Sequence, residues 1–364
     1  MLDDIAPAET GGLSMRGQAI AVLETPSVLI DMDIMERNIA RMQARCDQLG
    51  ISFRPHIKTH KIPDIARRQL AAGAVGIACQ KISEAEVFAA AGFRDIQIPY
   101  NIVGARKTGR LAQLARKVKL SVTVDSRAVV DGIAAAAQKA DAHIDMLVEL
   151  VSLGERTGTT PADAMSLAQH IAATDNLGFA GLMIYPSDAA IRPRLLETLN
   201  LLAAAGIPVA VISGGGSGAI REAHLLPELT EMRVGTYVFY DWNSVSQGYT
   251  TFENCAMRLR ATVVSAHEAS RVILDAGSKS IHSETVNGRF GYIEEFPAAR
   301  LRQVNEEHGY VDFSACPSTP AVGDILHIIP VHTCVVTNLH NQVYGVRGGM
   351  IEQVWDVAAR GLVW

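Results

Sequence analysis

Residues 51–99 show most clearly how the chain is built, and they read ISFRPHIKTHKIPDIARRQLAAGAVGIACQKISEAEVFAAAGFRDIQIP. Short apolar runs at Ile51–Ile57, Val75–Cys79 and Ile96–Pro99 predict β-strands, and the segments between them have the 3.6-residue periodicity of helices. The same alternation continues to about residue 237, with eight predicted strands that are each followed by a helix or a segment of helix length. Alternating β and α units imply a parallel sheet, and eight of them predict closure into a (β/α)8 barrel. The later barrel strands are predicted at Leu120–Val124, Ile144–Val151, Phe179–Tyr185, Val209–Ser213 and Met232–Tyr237.

From about Phe252 onward the pattern changes to alternating strands without long helical segments. Gly348-Gly349 lies between the last two of these strands and predicts a hairpin turn. The apolar run Val28–Ile30 precedes the barrel and is expected to pair elsewhere. We therefore predict a barrel domain over residues 20–250 and a mostly antiparallel β domain over residues 251–364, which the strand near 26–31 joins. The strands predicted in the β domain are Ala256–His267, Arg271–Asp275, Ile325–Pro330, Gln342–Val346 and Ile351–Val357.

The composition points to a cytoplasmic enzyme or binding protein. A net charge of -5 over 364 residues gives no electrostatic signal for nucleic acid or for an acidic membrane surface. The apolar runs are too short to span a bilayer, and the acidic N-terminus lacks the features of a signal peptide. The five cysteines are scattered and odd in number, which favours a reducing compartment.

Lys58 stands in the segment Arg54–Lys61, which ends the first predicted barrel strand. The C-terminal ends of barrel strands face the catalytic side, so Lys58 is placed where chemistry occurs in this fold. Desolvation and neighbouring cations at His56 and His60 could lower the pKa of its amine, and a neutral amine is required for a Schiff base with an aldehyde cofactor. The alternative interpretation is a basic, solvated loop without a chemical role.

A glycine-rich segment, Ser213–Gly218, follows the seventh predicted barrel strand. Glycines let backbone N–H groups approach an anion, and barrels commonly bind phosphate with the loops after strands seven and eight. Gly235-Thr236-Tyr237 ends the eighth strand and completes the pair of loops. The alternative is that both are tight turns that need glycine only for its backbone conformation.

His332 and Cys334 stand two residues apart after the apolar run Ile325–Pro330. On an extended chain such residues point to the same side, so the imidazole and the thiolate could share one metal ion. This donor pair suits zinc better than magnesium. The alternative is a core cysteine beside a surface histidine.

The run Pro55-His56-Ile57-Lys58-Thr59-His60-Lys61 resembles the cofactor-lysine motif of the D-threonine aldolase and D-serine dehydratase family. That family belongs to the alanine racemase-like, fold type III group of pyridoxal 5'-phosphate (PLP) enzymes. The resemblance implies that Lys58 bears PLP, that Lys61 lies on the following helix, and that the protein is a homodimer. It extends from Thr25-Pro26 to Ala359-Arg360-Gly361, with further matching segments at Cys79–Glu86, Ser213–Gly216, Glu307–Gly309 and His332–Cys334.

The resemblance also implies roles for residues at other strand ends. Tyr185 would lie beside the cofactor and pack against it or aid proton transfer, Arg156 would approach the phenolic oxygen of the cofactor, and Gln80 would contact the ring or the substrate. The alternative for each of the three is an ordinary buried hydrogen bond. The run before Arg156, Val151-Ser152-Leu153-Gly154, departs from the Asp-Thr-Gly-like run of the family. Asp275 and His308 fall on family-like motifs without a defined role. The predicted phosphate contacts are Ser213, Gly214, Gly215, Gly216, Ser217, Gly235, Thr236 and Tyr237.

The resemblance further implies that His332 and Cys334 bind a divalent metal, with zinc favoured and manganese or magnesium as alternatives. His332 would thereby act in catalysis, because the metal would bind the β-hydroxyl of a D-β-hydroxy-α-amino acid. Two reactions are then open, retro-aldol cleavage to glycine and an aldehyde, or β-elimination to a 2-oxo acid and ammonia. The His-X-Cys pair favours the dehydratase, whereas residues 80–87 and 343–361 are more similar to aldolases. A non-catalytic PLP carrier is the alternative from another class.

Overall fold

The structure, a computed structural model, describes residues 15–152, 156–268 and 270–364. Contacts divide the chain into two compact units. The barrel unit comprises Ile39–Tyr237 together with Gly361–Trp364, and the β unit comprises the described residues 15–38 together with Val238–Arg360. Strand β1 (Ser27–Asp31) and helix α1 (Met32–Leu49) open the regular structure.

The barrel unit contains eight parallel strands in the order β2-β9-β8-β7-β6-β5-β4-β3. An isolated bridge between His56 and Ala78 joins the two ends of this order, so the predicted (β/α)8 barrel is confirmed. The strands are β2 (Ser52–Phe53), β3 (Ile77–Ala78), β4 (Asp95–Ile98), β5 (Lys119–Val124), β6 (Ile144–Leu150), β7 (Leu177–Ile184), β8 (Val211–Gly215) and β9 (Glu231–Arg233).

Helices follow the barrel strands and begin at residues suited to that position. Pro63 occupies the first turn of its helix, where its missing N–H costs no hydrogen bond. The Thr160 side chain accepts a hydrogen bond from the Asp163 N–H and caps another helix. The helices are α2 (Pro63–Ala71), α3 (Ile82–Ala90), α4 (Ala105–Ala115), α5 (Arg127–Ala140), α6 (Pro161–Ala172), α7 (Arg192–Ala204) and the short α8 (Ala219–Glu222).

The β unit is mostly antiparallel, as the sequence predicts. Its main strand order is β13-β14-β11-β10-β1-β16-β17, and β15 pairs with β10 and β12. β1 runs antiparallel to β10 and parallel to β16, which confirms that the strand around Val28 pairs outside the barrel. Its elements after β1 are α9 (Trp242–Ser246), β10 (Met257–Glu268), β11 (Arg271–Leu274), β12 (Gly291–Ile293), β13 (Arg300–Val304), β14 (Gly309–Asp312), β15 (Ile325–Pro330), α10 (Thr333–Leu339), β16 (Gln342–Arg347) and β17 (Met350–Asp356).

The predicted hairpin between the last two strands is also confirmed. Arg347 pairs with Met350, so the turn consists of Gly348 and Gly349 alone. Both have positive φ, 55° and 77°, which a two-residue turn of this type requires and glycine adopts without steric cost. Among the described residues, no helix combines the length and apolarity needed to cross a bilayer.

Candidate active site

Lys58 lies in a short turn just beyond the first barrel strand. β2 ends at Phe53, and Ile57–Thr59 forms a 3-10 turn, so the strand predicted to reach Ile57 is too long. The His56 Nδ1 faces the Lys58 N–H at 3.4 Å and caps this turn. The Lys58 side chain is half-buried, and within the described part of the chain its ammonium forms no hydrogen bond or ion pair. Lys58 is therefore an accessible amine at the carboxyl end of the barrel strands.

The two histidines beside Lys58 are neutral imidazoles. Burial holds the pKa of His56 well below its usual value, and the charges of Lys58 and Arg233 lower it further. Burial also lowers the pKa of His60 to about 4. The sequence-based expectation that they act as cations near Lys58 is therefore wrong, because full burial favours the uncharged ring. His56 Nε2 lies 3.0 Å from Gln80 Oε1, which brings the predicted contact Gln80 to the same place.

The Lys61 side chain forms a buried ion pair with Glu84. Its Nζ lies 3.3 Å from Glu84 Oε1, and both side chains are buried. It precedes α2 with a φ of 55°, which corrects the expectation that it lies on the helix. Glu84 also accepts hydrogen bonds from the Gln80 and Lys81 N–H groups. Removing one partner of a buried ion pair typically costs about 3–5 kcal/mol, so Lys61 serves stability.

Tyr185 and Arg156 lie together at the same side of the barrel. Tyr185 directly follows β7, and the Arg156 guanidinium stands over its ring, 4.6 Å from the centroid. The Ser152 hydroxyl donates a 2.6 Å hydrogen bond to the Tyr185 carbonyl oxygen, which fixes the backbone there. Arg156 is exposed, whereas Gly154 and Glu155 lie outside the described residues. The pair predicted to accompany the cofactor is thus brought together.

Arg233 is a buried cation at this end of the barrel that the sequence analysis missed. Its Nε donates a 2.8 Å hydrogen bond to Ser213 Oγ, and a terminal nitrogen donates to the Ile184 carbonyl oxygen. Burial lowers its pKa to about 10, so it remains charged near neutral pH. The sequence did contain a signal for this residue. Glu231 and Arg233 are two residues apart on an otherwise apolar barrel strand, so their side chains lie on the same face.

A line of buried polar groups supports Arg233. Ser213 Oγ donates a 2.6 Å hydrogen bond to Glu231 Oε1, and Glu231 Oε2 accepts one of 2.7 Å from Arg54 Nε. Arg54 also binds Asp95 at 2.6 Å. Arg54 is thus paired with two carboxylates, whereas Arg233 donates its hydrogen bonds to a hydroxyl and to backbone carbonyl oxygens. Buried charges are tolerated inside a protein when they are satisfied in one of these ways.

The glycine-rich segment divides into a buried and an accessible part. Ser213, Gly214 and Gly215 belong to strand β8 and are buried, whereas Gly216 and Ser217 follow the strand and are partly exposed. Gly216 has a φ of 123°, which favours glycine. The Gly216 N–H donates a 3.3 Å hydrogen bond to the Arg233 carbonyl oxygen, so Ser217 is the residue at the partly exposed end of this segment.

Gly215 lies in close packing, where a side chain would be tight. A Cβ there would stand 3.0 Å from the Arg233 carbonyl oxygen and 3.3 Å from a Tyr185 ring carbon.

The second predicted phosphate loop follows β9. Gly235 and Thr236 are partly exposed, and a Cβ at Gly235 would come within 2.7 Å of Thr59 Oγ1. Tyr237 is fully buried, and its hydroxyl accepts a 2.8 Å hydrogen bond from Gln69 Nε2. The groups at this end of the barrel fit the parts of PLP. The Lys58 amine suits the aldehyde, the two glycine loops suit the phosphate, and Arg156 with Tyr185 suits the ring.

The predicted metal pair lies at the start of α10 in the β unit. His332 is the N-cap residue and is extended, as expected, whereas the chain is helical from Thr333, so Cys334 lies in the first turn of the helix. The turn nevertheless brings the two side chains into hydrogen-bond contact, and this contact, with support from Glu284, raises the pKa of His332 to about 9. Within residues 15–152, 156–268 and 270–364, no three His, Cys, Asp or Glu residues are arranged to hold a metal. Two protein donors would leave most coordination positions of an ion open.

Asp275 and His308 have structural positions. Asp275 accepts hydrogen bonds from the Thr25 hydroxyl at 2.5 Å and from the Thr262 N–H at 2.7 Å. His308 is exposed in the turn between β13 and β14, where its carbonyl oxygen accepts from the Asn305 N–H. Both contacts stabilise the β unit locally.

Two family models match the chain, the alanine racemase N-terminal domain over residues 30–241 and the putative serine dehydratase domain over residues 256–346. The D-threonine aldolase of Arthrobacter sp. is 37% identical over 363 residues, with 95% of each chain covered. The crystal structure of D-threonine aldolase from Filomicrobium marinum has a TM-score of 0.87 at 31% identity and covers 99% of this chain and 100% of that one.

D-threo-3-hydroxyaspartate dehydratase from Delftia sp. HT23 has a TM-score of 0.84 at 28% identity, with 93% of this chain and 98% of that chain covered. The family suggested by the sequence motifs is thus confirmed over nearly the whole length. The chain belongs to the alanine racemase-like family of PLP enzymes that includes the D-threonine aldolases.

Proposed function

We propose that the protein is a PLP- and metal-dependent lyase that cleaves D-β-hydroxy-α-amino acids by a retro-aldol reaction, giving glycine and an aldehyde. The observation that carries this proposal is the similarity to D-threonine aldolase over 95% of both chains. The site supports it, because Lys58 presents an accessible amine while Lys61 is held by Glu84.

Lys58 would hold PLP through its amine, and the N–H groups of Ser217, Gly235 and Thr236 would hold the phosphate. Gly216, whose N–H donates to the Arg233 carbonyl oxygen, would shape the first of the two loops. When bound, PLP supplies an electron sink for the negative charge that develops at the substrate α-carbon. Of the other predicted residues, the partly exposed Gln80 would add a contact, and the buried Ser213, Gly214, Gly215 and Tyr237 would support the loops.

The protein side chains around Lys58 have separate tasks in this proposal. The Arg156 guanidinium stays charged at any physiological pH, so it would keep the phenolic oxygen of PLP ionised. The Tyr185 ring would pack beside the cofactor, and its hydroxyl would carry a proton. His56 is uncharged and hydrogen-bonded to Gln80, so it adds no positive charge beside the Lys58 amine.

His332 and Cys334 would hold a divalent metal, and zinc suits an imidazole with a thiolate. When bound, the metal supplies Lewis acidity that lowers the pKa of the substrate β-hydroxyl. A cysteine-to-alanine variant of D-threo-3-hydroxyaspartate dehydratase is known in a metal-free form, which supports a metal in this family. Manganese or magnesium are the alternatives.

A dehydratase reaction is the second candidate. The cysteine of the His-X-Cys pair favours it, and D-threo-3-hydroxyaspartate dehydratase of Delftia sp. is 32% identical over 351 residues. In that reaction the metal held by His332 and Cys334 would assist departure of the β-hydroxyl. The products would be ammonia and a 2-oxo acid.

A product assay separates the two reactions. We expect zinc-loaded protein with D-threonine to yield glycine and acetaldehyde in equal amounts, with no turnover of L-threonine. With D-serine, the dehydratase reaction would instead yield pyruvate and ammonia. Release of 2-oxo acid from both substrates would make the second candidate correct, and absence of any product would favour the PLP carrier.

The resemblance to fold type III enzymes supports a homodimer, and we expect sedimentation at micromolar concentration to give twice the monomer mass of 39.1 kDa. A fully active monomer would contradict this. None of the five cysteines, all in the described part of the chain, forms a disulfide, which supports a cytoplasmic location.

A further inference from the structure

Glu284 contacts the imidazole of the proposed metal ligand His332. Its Oε2 and Oε1 lie 2.9 Å and 3.1 Å from His332 Nδ1, so both carboxylate oxygens face one ring nitrogen. An imidazole has only two nitrogens, and with Nδ1 directed at Glu284 the other, Nε2, is the nitrogen left to bind an ion.

The backbone on both sides of this contact is fixed. His282 is buried, and its Nδ1 accepts a 3.0 Å hydrogen bond from the Glu284 N–H. It has a φ of 99°, a conformation that a residue with a side chain adopts only under constraint. On the other side, Asp241 is buried and accepts from the Thr333 N–H at 3.3 Å. The carboxylate and the ring are therefore presented to each other by structured segments.

We propose that Glu284 is a positioning residue for His332 and fixes the ring so that Nε2 and the Cys334 sulfur bind one metal ion. This inference rests on the proposed function, in which His332 and Cys334 are the protein ligands. A carboxylate that accepts the second N–H of a metal-binding histidine fixes its tautomer and orientation and raises its basicity. Such a partner matters most where the protein supplies only two donors, because each donor carries a larger share of the binding.

The chain offers a matched control. Glu295 binds His327 Nδ1 at 2.6 Å in the same unit, which makes a second carboxylate–imidazole pair that no proposed ligand shares. Glu295→Ala therefore removes the same kind of contact without touching His332. Glu284 itself is half-exposed, with 52% of its side chain accessible, so its substitution should not prevent folding.

The experiment measures zinc affinity of the PLP-loaded protein by competition with a chromophoric chelator, and cobalt coordination by the thiolate-to-metal absorbance. We expect Glu284→Ala to weaken zinc binding about 10- to 100-fold and to reduce the cobalt absorbance at a fixed cobalt concentration. Glu284→Gln, which can still accept the N–H, should recover part of the affinity. Glu295→Ala should bind zinc like the unmodified protein, and the visible absorbance of PLP should be the same in all variants.

His332→Ala distinguishes the ways in which this can fail. Unchanged zinc affinity in Glu284→Ala, together with a loss in His332→Ala, would overturn the positioning role and leave the metal assignment intact. A Glu284→Gln variant as weak as His332→Ala would also overturn it, because Glu284 would then be a ligand. Unchanged affinity in His332→Ala and in Cys334→Ala would reject the metal site itself.

Discussion

Lys58→Ala is expected to remove the visible absorbance of bound PLP and to lower kcat/KM with D-threonine by more than about 10³-fold. The variant loses both the covalent attachment of the cofactor and a group able to transfer protons, and proton transfer alone commonly contributes about 10²- to 10⁴-fold. The expectation rests on the accessible, half-buried position of Lys58 just beyond strand β2. Absorbance spectra and steady-state kinetics of the purified variant give both results.

Lys61→Arg is the control for this prediction. Arginine keeps the positive charge that pairs with Glu84 but cannot hold an aldehyde cofactor, so this variant should remain yellow and active. Borohydride reduction of the unmodified protein should attach the cofactor to Lys58, as shown by peptide fragmentation. Cofactor found on Lys61, or a colourless Lys61→Arg protein, would show that the assignment is wrong.

The barrel could be predicted because its signal is repeated and local. Each βα unit has its own apolar run and its own helical period, and the predicted elements coincide with the observed ones except at their ends. The β unit was harder to predict. Strands β12, β13 and β14 have three to five residues, and β13 carries charge at Arg300 and Arg302, so alternation is too short to detect.

The limits of the site prediction have a common physical cause. The positions of Lys58, Tyr185 and Arg156 follow from strand ends, which the sequence pattern indicates. The neutrality of His56 and the burial of Arg233 depend on the side chains that surround them, and those side chains belong to strands that are distant in the sequence. Sequence spacing carries no information about such enclosure.

The conformation of the proposed metal pair differs from the one that the sequence suggested. An extended chain was expected between His332 and Cys334, but α10 begins at Thr333 and still brings the two side chains into contact. The spacing of two residues is compatible with either conformation. Asp241, which is distant in sequence, accepts a 3.3 Å hydrogen bond from the Thr333 N–H in the first turn of α10, and the spacing of the pair does not indicate this contact.

Chelation of the metal is expected to abolish lyase activity while the visible absorbance of PLP stays nearly unchanged. Lys58 and the glycine loops belong to the barrel unit, whereas His332 and Cys334 belong to the β unit, so cofactor binding and metal binding use different residues. His332→Ala should behave like chelation and cost about 3 kcal/mol or more of transition-state stabilisation, which corresponds to at least about 10²-fold in kcat/KM. Assays with and without added zinc, alongside absorbance spectra, give both quantities.

Cys334→Asp is the more specific test, because it replaces a soft thiolate with a hard carboxylate and leaves His332 in place. Hard oxygen donors favour manganese and magnesium over zinc, so the variant should retain metal-dependent activity with a changed order of preferred ions. Cys334→Ser, which cannot supply an anionic ligand near neutral pH, is the matched control and should lose metal-dependent activity. Turnover that survives chelation, His332→Ala and Cys334→Asp unchanged would mean that the ion has no catalytic role. The protein would then be better described as a metal-free PLP enzyme or carrier, since neither needs an activated β-hydroxyl.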